Sequence, residues 1–247
     1  MGTTAKHWRR AAMGLLLFGI SFGYVEAAVV YYLRTIHEPA RALLHPDQRQ
    51  GDVFPLATRD QLEASAPQSI PLLKAEVVRE AATLLMLAGV ALVATGDRNL
   101  WLPAFAIAFG TWDLFYYVFL KVLVDWPASL LTWDILFLVP VPWAAPVLAP
   151  VIVALTIIVT GLIALRRPVR MNRLQWSGLA LGGFLIVLSF MWDYRNIMAG
   201  GLPNPFAWGI FSAGEAAGVL AFVDAWRKSR TATRASHEST RPQVFAN

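Results

Sequence analysis

The chain has 247 residues and a net charge of +5, with 57% hydrophobic and only 15% charged residues. Soluble domains carry roughly 25% charge, so this composition excludes an ordinary soluble domain and points to a membrane protein. The basic residues sit mostly at the ends of apolar runs, where they fix orientation in a bilayer, and this argues against a nucleic-acid partner. Cysteine is absent, which removes disulfides, thiolate metal sites and Fe–S clusters. The four histidines, His7, His37, His45 and His237, all lie outside the middle of apolar runs, so haem held by two histidines is not expected. No lysine lies mid-run to carry a retinal Schiff base.

Lys6, Arg9 and Arg10 precede an apolar run from Ala11 to Leu33. It is too long for a signal-peptide core and lacks a clean small-x-small ending, so it reads as an uncleaved first span. Residues 34–74 are polar and interrupted by Pro39, Pro46, Pro55, Pro67 and Pro71. A connection of that length is a lid or a tether. The second span is expected over 76–94 and the third over 100–120, joined by the turn Gly96-Asp97-Arg98-Asn99.

Residues 126–165 are apolar but broken by Pro140, Pro142, Pro146 and Pro150. The piece 128–139 would make a helix of about 18 Å, short of the roughly 30 Å hydrocarbon core. It reads as a short helix that enters and is broken by the prolines. The alternative is a short complete span over 127–143. Further spans are expected over 147–165, 174–194 and 206–226. The segment 227–247 is polar and basic and reads as a disordered cytoplasmic tail.

The expected fold is therefore all-α: one polytopic transmembrane bundle over 1–226, with six spans plus a proline-broken re-entrant segment, or seven spans. Six spans with both termini cytoplasmic leave thirteen basic residues inside and eight outside. Seven spans with the N-terminus outside give sixteen against five, but require Lys6, Arg9 and Arg10 to be translocated. Six are preferred, in a cytoplasmic (inner) or plasma membrane.

Six acidic residues lie in apolar runs: Glu26, Glu80, Asp113, Asp134, Asp193 and Glu215. Each costs at least about 2.5 kcal/mol near the bilayer centre, so a chain that merely spans would not accumulate them. Three sit beside alanines, in Val25-Glu26-Ala27-Ala28, Arg79-Glu80-Ala81-Ala82 and Gly214-Glu215-Ala216-Ala217. Small neighbours let helices close over a carboxyl. The other three follow Trp112, Trp133 and Trp192, whose indoles offer an amphipathic wall and an N–H donor. Helical spacing aligns Asp113, Tyr117 and Lys121, and puts Glu76, Arg79, Glu80 and Thr83 on one face. Glu76 and Arg79 read as an interfacial helix start. Ser189, Asp193 and Asn196 also share a side.

Three function classes fit: a proton- or cation-linked small-molecule transporter, a membrane-embedded enzyme acting on a lipid-like substrate, and a non-catalytic subunit of a membrane complex. Glu80, Asp113 and Asp134 are the expected centre and the candidate ligands for Mg²⁺ or Mn²⁺, which prefer oxygen donors. The expected partners are the lipid bilayer and a small-molecule, ion or lipid ligand. No Walker, His-Glu-x-x-His or Gly-x-Ser-x-Gly motif is present.

Overall fold

The computed structural model describes residues 2–48 and 51–239. Long helices dominate: α1 (Gly2–Leu44), α3 (Ser69–Thr95), α4 (Arg98–Val124), α5 (Leu148–Arg166), α6 (Arg173–Met191) and α8 (Trp208–Ser239). Two short helices, α2 (Arg59–Ser65) and α7 (Tyr194–Met198), and one hairpin of β1 (Trp133–Phe137) and β2 (Trp143–Pro146), join them. Among the described residues, five stretches are long and apolar enough to cross a membrane: His7–Leu44, Ser69–Thr95, Arg98–Val124, Leu148–Arg166 and Arg173–Met198. The chain is thus a helical membrane protein. The sixth long helix, α8, is not among them, because it carries Glu215 and Asp224 within its apolar part.

The helices are longer than the apolar runs. α1 continues through Pro39 to Leu44, so only part of the expected loop 34–74 is loop. The remainder is tied down: Gln48 donates to the carbonyls of Asp52 (3.0 Å) and Phe54 (2.8 Å). Phe54 is buried and meets Trp133 edge-on. Thr58 and Gln61 close a capping box on α2. α8 stays helical through 227–239, where a disordered tail was expected; residues 240–247 of that tail lie outside the described residues.

Small residues set the close contacts. A Cβ on Gly110 would lie 2.7 Å from the Ala154 carbonyl oxygen, where α4 crosses α5. A Cβ on Gly182 would lie 2.7 Å from the Gly214 oxygen, where α6 crosses α8. Hydrocarbon tails offer no hydrophobic drive between helices, so backbone approach of this kind supplies the packing. Leu15, Leu87, Ile107 and Ala108 fill the core shared by α1, α3, α4 and α5.

The stretch 128–139 is not the expected short helix, and 127–143 is not a helical span. Antiparallel strands pair Trp133 with Pro146, Asp134 with Ala145, Ile135 with Ala144 and Phe137 with Trp143, with an irregularity between Ile135 and Phe137. Pro140, Pro142 and Pro146 each lack the N–H that a helix needs. The hairpin base lies by the end of α4, where Val147 packs with Leu120 and Trp126. Its tip reaches the helix middle, where Phe137 stacks on Phe109 at 6.4 Å. Non-helical backbone at such a level survives when protein surrounds it. Here an aromatic chain does so, from Trp112 through Phe137 and Trp143 to Phe190, Phe206 and Phe211.

Candidate functional site

α1, α3, α4 and β1 enclose a cavity of about 70 Å³. Its polar lining comes from three helices. α1 supplies Glu26; α3 supplies Glu76, Arg79, Glu80 and Thr83; α4 supplies Asp113, Tyr116 and Tyr117. The helical repeat explains the α3 set, since residues three and four apart share a face.

Arg79 is the hub. Its Nη1 donates to Glu26 Oε2 at 2.5 Å, its Nε donates to Glu76 Oε2 at 2.8 Å, and its Nη2 donates to Glu76 Oε1. Nη1 also reaches Thr83 Oγ1 at 3.5 Å. Glu26 is 7% exposed, so this ion pair is largely out of solvent. Two carboxylates therefore share one guanidinium, and among the described residues Arg79 is the only cation in the lining.

Glu80 accepts the backbone N–H of Leu138 at 2.8 Å, which ties the hairpin tip to α3. Tyr117 Oη donates to Asp134 Oδ2 at 3.1 Å, which ties the hairpin base to α4. Both groups are buried, Tyr117 at 6% and Asp134 at 3% exposure. Asp113 lines the cavity but makes no hydrogen bond or ion pair among the described residues. The indole N–H of Trp112 is buried beside it, likewise without a partner among the described residues.

The sequence-derived candidates divide. Glu26, Glu80, Asp113, Tyr117 and Trp112 line this one cavity, and Asp134 joins through Tyr117. Lys121 does not: it pairs with Asp125 at 2.7 Å and binds the carbonyl of Pro127 at 3.2 Å, at the end of α4. Its ammonium holds the exposed Asp125 carboxyl below its usual range. Trp133 faces Phe54 and Phe206, and Trp192 is 61% exposed. Asp193 organises the segment after α7, accepting from Asn196 and from the backbone and side chain of Asn204. Glu215 sits on α8 against Thr156 of α5. Among the described residues no three His, Asp or Glu side chains stand close enough to hold a metal ion.

Glu76 and Arg79, read from sequence as a helix start, are integral to the site. The signal for them was their shared face with Glu80 and Thr83. Tyr116 and the Leu138 N–H carried no sequence signal.

No protein-family model matches the chain, and no curated protein or solved structure matches it at a significant level. The fold and the cavity together define a helical membrane protein with an acidic site between its helices.

Proposed function

We propose that this cavity binds a small cation in exchange for a proton, and that the binding is coupled to uptake or movement of a small molecule across the membrane. The observation that carries the reading is Asp113. It faces a cavity whose only guanidinium is already taken by Glu26 and Glu76. A carboxylate without a partner in such surroundings is costly, and a proton or cation relieves that cost. The volume supports the same class of occupant. About 70 Å³ holds a few waters or an ion, whereas small-molecule pockets span roughly 300–1,000 Å³. The small molecule therefore binds elsewhere or after movement of the hairpin. The protein acts in a plasma or inner membrane with both termini cytoplasmic.

Purified protein in weakly buffered detergent, titrated with Na⁺, K⁺ or Mg²⁺, tests this. Wild type should release protons on binding one of these ions, and Asp113→Asn should fold yet lose the release. Cation-independent behaviour of wild type, or an Asp113→Asn protein with the wild-type signal, would overturn the reading.

A further inference from the structure

A second cavity, about 1,150 Å³, opens at the opposite level of the bundle from the hairpin base. It lies where α1 begins, α3 ends, α4 begins and α5 ends. Its charged lining is of one sign. Arg9 and Arg10 come from α1, and Arg166 and Arg167 from the end of α5; among the described residues no Asp or Glu lines it. All four arginines are exposed. None of them takes part in a salt bridge among the described residues. Trp8 lies between the two groups, with the Arg9 guanidinium 5.8 Å and the Arg166 guanidinium 5.7 Å from its ring. The indole thus holds arginines of two helices at one place by cation–π attraction. Below them the lining turns apolar, with Ala11, Gly14, Ala94, Leu100 and Leu165. A Cβ built on Gly14 meets nothing within 4 Å, so the floor there is open.

We propose that this cavity is a binding site for an anionic phospholipid, the arginines taking its phosphate and the apolar floor its acyl chain. Guanidinium forks match phosphate oxygens in geometry as well as charge. Basic pockets between the ends of membrane helices are suited to lipid head groups. A free phosphate would use the arginines but not the floor. This site is separate from the acidic cavity and does not rest on the proton or cation reading of it.

Native mass spectrometry of the full chain in detergent, titrated with phosphatidylglycerol or phosphatidylcholine, tests the proposal. Wild type should retain one phosphatidylglycerol roughly tenfold more tightly than phosphatidylcholine. The double variant Arg9→Gln/Arg166→Gln should lose about that factor. Arg227→Gln/Arg230→Gln, with the same loss of charge on α8, should keep it. Gly14→Phe fills the floor without touching an arginine, so it should weaken phosphatidylglycerol retention while leaving displacement by inorganic phosphate unchanged. Absence of a preference in wild type would overturn the site. Equal losses in the two double variants would reduce it to a general charge effect and also overturn it. Full retention in Gly14→Phe together with ready displacement by inorganic phosphate would show a free-anion site instead. If the double arginine variant fails to fold, Gly14→Phe alone still decides the lipid reading.

Discussion

Arg79 holds two carboxylates that come from different helices, and its removal strands both. Truncating one member of a buried pair costs more than the pair contributes, because the remaining charge stays desolvated. Arg79→Gln should therefore lower stability by roughly 3 kcal/mol, read as the unfolding midpoint in a denaturing-detergent titration. Adding Glu26→Gln should recover part of that loss, since it removes one of the two stranded charges. A single variant as stable as wild type would mean that these carboxylates are met by water rather than by Arg79. At this scale the sequence was informative about residue types and silent about partners. Six acids in apolar runs are visible on inspection, because each is expensive there. The pairing of Glu26 with Arg79 spans 53 positions, and no local period announces it. Lys121 shows the opposite failure. Helical spacing placed it with Asp113 and Tyr117, yet it lies at the end of α4, where Asp125 and the carbonyl of Pro127 are nearer.

The hairpin is the element that spacing rules misjudged. Trp133-Asp134-Ile135-Leu136-Phe137 is apolar enough to be a buried strand or a piece of buried helix, and periodicity over five residues cannot separate the two. The prolines that follow decide it, but they argue against a helix without specifying a strand pair. The long helices were legible in kind and order because their apolar runs exceed what a strand uses, while their ends were not. α1 outlasts its apolar run by more than two turns because Pro39 is tolerated within it. The hairpin is fastened at two levels, by the Leu138 N–H on Glu80 and by Asp134 on Tyr117. Weakening the first should loosen the tip and spare the base. In Glu80→Leu, the amides of Phe137, Leu138 and Val139 should exchange with solvent deuterium about tenfold faster, since a lost hydrogen bond to a charged group is worth about 1.5 kcal/mol or more. The amides of Ala144, Ala145 and Val147 should be unaffected. Uniform acceleration across the hairpin would mean that the two fastenings act as one.

The whole molecule alternates. The start of α1 and of α4 share a cavity with the ends of α3 and α5. Gln175 near the start of α6 binds Asp224 late in α8 at 2.8 Å, and the Arg170 N–H meets Ser229 Oγ at 3.1 Å. Six long helices thus run up and down with the first residues of α1 and the late part of α8 at one end. The hairpin enters from the other end and returns to it. A bundle so arranged puts the loop around α2 on the face opposite to Arg173 and Arg230. The basic residues cluster at the shared end, with Arg9, Arg10, Arg98, the four arginines from 166 to 173, and Arg227, Lys228 and Arg230; the positive-inside tendency predicts that this end faces the cytoplasm. α8 is the decisive helix, because its hydropathy alone does not mark it as a span. Reporter fusions after Arg173 and after Arg230 should both read cytoplasmic, and a fusion after Gln61 should read the opposite side. Opposite readings at Arg173 and Arg230 would place α6 and α8 out of step with the antiparallel pairing seen here. A cytoplasmic reading at Gln61 beside an external one at Arg173 would invert the whole bundle, and the basic cluster would then lie on the outer face.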